Sequence, residues 1–85
     1  MTFDMQKVYD YIDQHADEYT EFLRTLVRQP SIADTGEGIQ DMVRLVKKSL
    51  QGIGAQPQEV PTPGNPVIYA EIKGERDKTF GFYDH

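Results

Sequence analysis

At 85 residues the chain can form one small domain at most, and a folded chain near this size buries only about 60 to 65% of the surface its unfolded form exposes, so the stability margin is thin. With 38% hydrophobic and 27% charged residues the composition is that of an ordinary globular protein, which excludes disorder as the default. A net charge of −5, from 9 basic against 14 acidic residues, offers no footprint for phosphate backbones or anionic lipid and excludes nucleic-acid and membrane-surface roles.

Apolar residues between Val8 and Val27 fall at Val8, Tyr11, Ile12, Tyr19, Phe22, Leu23, Leu26 and Val27, the three-and-four spacing of one helix face. Acidic residues crowd the first half (Asp10, Asp13, Asp17, Glu18), and Arg24 and Arg28 close it, as the helix macrodipole favours. Pro30 biases Gln29 away from the helical region, so the helix is predicted to end near Arg28. Ser31 to Gly38 has the composition of a turn and can supply an N-cap.

A second helix is predicted from Ile39, with Met42, Val43, Val46, Leu50 and Ile53 on one face and Gly52 or Gly54 as its stop. Prolines 57, 61, 63 and 66 forbid further helix. Gln58 to Val60 is at most a short edge strand. Val67 to Ile72 is β-branched and aromatic, with Ile68, Ala70 and Ile72 on one side, and reads as a good strand. After a polar turn at Glu75 to Lys78, Thr79 to Tyr83 is predicted as a third strand with Gly81 as its weak spot.

This order predicts an α/β fold: two N-terminal amphipathic helices followed by the first strands of a mixed sheet, residues 1–85 forming part of one domain. Two helices are too few to cover both faces of a growing sheet, so the intact domain is expected to continue beyond His85. The uncovered surface predicts self-association of the chain as it stands. No apolar run approaches a membrane span, and Met1-Thr2-Phe3-Asp4 lacks the basic-then-apolar layout of a secretory signal, so a cytoplasmic location is expected. The absence of cysteine removes disulfides and thiolate ligands together and leaves only His and carboxylate to hold a metal.

Asp84 and His85 follow the apolar Phe80-Gly81-Phe82-Tyr83, and ligand sites in α/β sheets gather beyond the carboxyl ends of strands. Taken alone, such a pair is ordinary polar termination of a strand. The other candidates have structural readings. His15 lies amid polar neighbours and reads as a solvated surface histidine; Ser31 has no nearby base. Gly36-Glu37-Gly38 and Gly52-Ile53-Gly54 lack the third glycine of a nucleotide loop, Asp41 and Pro57 standing in its place. Asp41 with Arg44, and Glu21 with Arg24, are surface pairs three residues apart worth a few tenths of a kcal/mol.

Four blocks, in order, resemble one enzyme family: the helix closing in Leu26-Val27-Arg28-Gln29-Pro30-Ser31-Ile32, the second helix ending Ile53-Gly54-Ala55, the strand Val67-Ile68-Tyr69-Ala70-Glu71-Ile72-Lys73-Gly74, and Phe82-Tyr83-Asp84-His85. Together they look like the start of the zinc-dependent peptidases that include carboxypeptidase G, cytosolic dipeptidases, aminoacylases and succinyl-diaminopimelate desuccinylase. The family pattern continues as His, any residue, Asp, and its His is the first ligand of a two-zinc centre.

By this resemblance His85 is the metal ligand, zinc the cofactor (with cobalt or manganese as substitutes), and a dipeptide or N-acyl amino acid the substrate of the parent protein, a homodimer. Tyr83-Asp84-His85 looks most like the dipeptidase branch. Gly81 departs from the pattern, standing where family members place a larger apolar residue. The bridging Asp and the general-base Glu that the family uses are not in this chain, so no catalytic residue is assigned and the 85 residues alone are expected to be inactive. The competing expectation is a small non-catalytic interaction module that binds a partner through its helical face or strand edge.

Overall fold

A computed structural model describes residues 4–85, leaving Met1, Thr2 and Phe3 outside the described residues. Its elements run α1 (Met5–Arg28), α2 (Ile39–Gly52), β1 (Gln58–Val60) and β2 (Val67–Tyr69). The chain divides into two compact units, Met1–Leu45 and Val46–His85.

In the first unit α1 begins earlier than the apolar spacing alone predicts, because Asp4 caps it: its carboxylate accepts a hydrogen bond from the Gln6 backbone N–H at 3.0 Å, satisfying one of the orphan donors of the first turn. The helix stops at Arg28 with Gln29 extended (φ −75°, ψ 118°), the conformation Pro30 imposes on the residue before it. No residue of α1 is buried.

The turn from Ser31 to Gly38 is held by its own backbone. Gly36 N–H donates to the Ile32 carbonyl at 2.8 Å, and Ile32 N–H to that of Glu37 at 2.9 Å. The Gly38 carbonyl accepts the first helical hydrogen bond, from Met42 N–H at 2.9 Å. No polar side chain occupies this cap, because Gly38 has φ +75° and a Cβ there would lie 2.0 Å from the Pro30 carbonyl oxygen. Backbone here approaches too closely for any residue but glycine. The buried Val43, 7% exposed, lies on α2 just beyond.

Of the two glycines that could stop α2, Gly54 does so. It has φ +91°, its N–H donates to the Gln51 carbonyl at 3.1 Å, and Ala55 N–H reaches back to that of Leu50 at 3.0 Å. This is the Schellman pattern, usually accompanied by an apolar contact from the residue after the glycine, and Ala55 is accordingly 5% exposed.

β1 and β2 pair antiparallel, with Gln58 opposite Tyr69, Glu59 opposite Ile68 and Val60 opposite Val67. The ladder has only three positions because proline closes both ends. In this register Pro57 would face Ala70, and Pro61 would face Pro66, and none of these prolines has an N–H to contribute. The predicted strand to Ile72 therefore ends at Tyr69. The connection is steadied by Thr62, whose hydroxyl donates to the Asn65 carbonyl at 2.6 Å and accepts from Gly64 N–H at 3.1 Å.

The predicted third strand does not form: Thr79 to Tyr83 joins no ladder, and Phe80, Phe82 and Tyr83 are 81 to 92% exposed. Among the described residues the sheet is an antiparallel pair, not a mixed sheet. The alternation that marks a strand specifies an extended segment; pairing also needs a partner edge, and a three-residue hairpin bounded by prolines offers little of one. Two helices followed by a small antiparallel sheet make an α/β arrangement.

Candidate functional site

The segment that carries His85 is unpaired, without helix, strand or turn. Residues two apart on an extended chain share a side. Phe80 and Phe82 do so, with ring centroids 5.0 Å apart, and so do Tyr83 and His85, with centroids 6.3 Å apart and planes at 39°. Tyr83 Oη lies 2.9 Å from His85 Nδ1. Two proton arrangements fit that distance: the phenol donates to Nδ1 and the ring carries its proton on Nε2, or Nδ1–H donates to the phenol oxygen and Nε2 keeps a lone pair. Only the second leaves a nitrogen able to bind a metal. His85, Asp84 and Tyr83 are all exposed.

A zinc site needs three or more protein donors. Among the described residues no group of three or more His, Asp or Glu side chains comes together. The imidazole of His85 suits zinc as a donor type, and Tyr83 supplies the contact to the second ring nitrogen that orients such ligands. The donor set here amounts to one position of a site, not a site.

His15 lies on the surface of α1, as expected, in contact with two tyrosines. Its ring lies between Tyr11 and Tyr19, with centroid distances of 4.2 and 5.9 Å, and Nδ1 lies 2.9 Å from Glu18 Oε2. The side chain is 33% exposed, partly shielded by the two rings. Residues three and four apart on a helix are neighbours, so Tyr11 and Tyr19 flank the ring while Glu18 reaches it from three residues on. The signal was present in Tyr11-x3-His15-x3-Tyr19. Withdrawal from water, followed by the influence of Tyr11, pushes the Tyr19 phenol above its usual range. A hydrogen bond to Glu71 does the same for Tyr69.

Ser31 is exposed in the turn. The surface pairs form as expected: Arg24 Nη1 lies 2.6 Å from Glu21 Oε1 with both side chains more than half exposed, and Arg44 pairs with Asp41. A shallow depression of about 280 Å³ in the first unit is lined by Thr25, Arg28, Gln29 and Leu45. It holds neither carboxylate nor imidazole and so brings no acid–base pair together. No helix among the described residues is long and apolar enough to cross a membrane. Comparisons with protein-family models, curated proteins and solved structures return no match to this chain.

Proposed function

We propose that this chain is the N-terminal part of the catalytic domain of a dinuclear-zinc peptidase or amidohydrolase, whose parent protein cleaves the amide bond of a dipeptide or an N-acyl amino acid. The observation that carries this reading is the ordered set of four sequence blocks ending in Phe82-Tyr83-Asp84-His85. The contact between Tyr83 and His85 supports it, since it lies on the ring nitrogen that would face away from a metal held by Nε2.

In this role His85 supplies one neutral imidazole. Nδ1 then carries the proton and donates it to the Tyr83 oxygen, which fixes both the tautomer and the ring plane. Zinc, if held by His85 together with other ligands, would supply Lewis-acid polarisation of the amide carbonyl and a more acidic water. The other ligands and the general base belong to residues beyond the 85, and so does substrate selection.

Sequencing the encoding DNA past the His85 codon tests the proposal. A residue followed by Asp, and later acidic and histidine ligands in the same frame, is the expected result. A stop followed by unrelated sequence overturns it. The purified 85-residue chain is expected to show no zinc-dependent dipeptidase activity. Turnover abolished by a chelator and by His85→Ala would refute the assignment of its catalytic residues to sequence beyond His85.

The alternative of a non-catalytic interaction module has its own support in the exposed apolar residues of α1, among them Tyr9, Tyr11, Ile12, Phe22 and Leu23.

A further inference from the structure

We draw no further inference here: the strongest candidate, the open apolar face of α1 that carries Ile12, Tyr19, Phe22 and Leu23, carries none, because nothing in the structure shows what covers it.

Discussion

α1 and α2 were legible in the sequence by the same apolar spacing, yet the structure treats them differently. α2 buries Val43, and its end is sealed by the Schellman turn over the buried Ala55. α1 is longer and buries nothing. Amphipathicity thus defines which face a helix would bury, but burial itself depends on what lies opposite. α2 is closed at both ends by its backbone, with the close approach of Gly38 to Pro30 before it and the Gly54 turn after it.

If that contrast is right, Val43→Asp should have the largest effect. A charge in a site 7% exposed has no partner and costs several kcal/mol, so cooperative loss of α2 should be visible in the circular dichroism melt. Ile12→Asp, at a site 47% exposed, should change the melt of the dilute monomer far less. Equal damage from the two would break the distinction.

Gly38→Ala should come next, at about 2 kcal/mol or more, since it adds a clash with the Pro30 carbonyl to an unfavourable positive φ. Gly81→Ala, with nothing within 4 Å of the new methyl, is the matched control. Urea titration of both variants measures the difference, and equal midpoints would show that the Pro30 approach does not hold the turn. Asp4→Ala should cost about 1 kcal/mol by leaving a first-turn N–H unpaired, read as fraying of the α1 start in amide hydrogen exchange.

Alkaline pH sharpens the comparison from another side. The folded chain holds the Tyr19 and Tyr69 phenols above the ordinary tyrosine value of 10.0. It therefore favours their neutral forms, and this contribution is fully present below pH 10 and lost as pH rises through the raised values. Ultraviolet titration should show a component ionising above the ordinary tyrosine range, reduced by Tyr19→Phe. Smallest of all, Glu21→Ala should shift α1 stability by only a few tenths of a kcal/mol, because its pair with Arg24 is solvent-exposed.

Much of the local structure was visible in advance for identifiable reasons. Pro30 fixed the end of α1 through the residue before it, and Gly54 was one of two candidates for stopping α2. The early start of α1 was not anticipated because it depends on the Asp4 side chain, which lies outside the apolar period. His15 stays a surface histidine as read, but its ring partners Tyr11 and Tyr19, four residues either side, went unnoticed because neighbours along the sequence are not neighbours on a helix surface. At the candidate site the third strand expected from alternation did not form, and the Tyr83 contact to the imidazole was not foreseen.

The sequence by itself determined where the helices lie, which faces are apolar, where proline and glycine end each element, and that any metal ligand must be His or carboxylate. Those properties are local, set by side-chain period, φ restriction and donor chemistry within a few residues. Only the tertiary structure decided that Val67 pairs with Val60 for just three positions, that Thr79 to Tyr83 stays unpaired, that Gly38 rather than a polar side chain opens α2, and that the long face of α1 is left open. Each of these depends on what a second segment offers, a free N–H, a carbonyl in the way or an apolar surface, and no stretch of sequence contains its own partner.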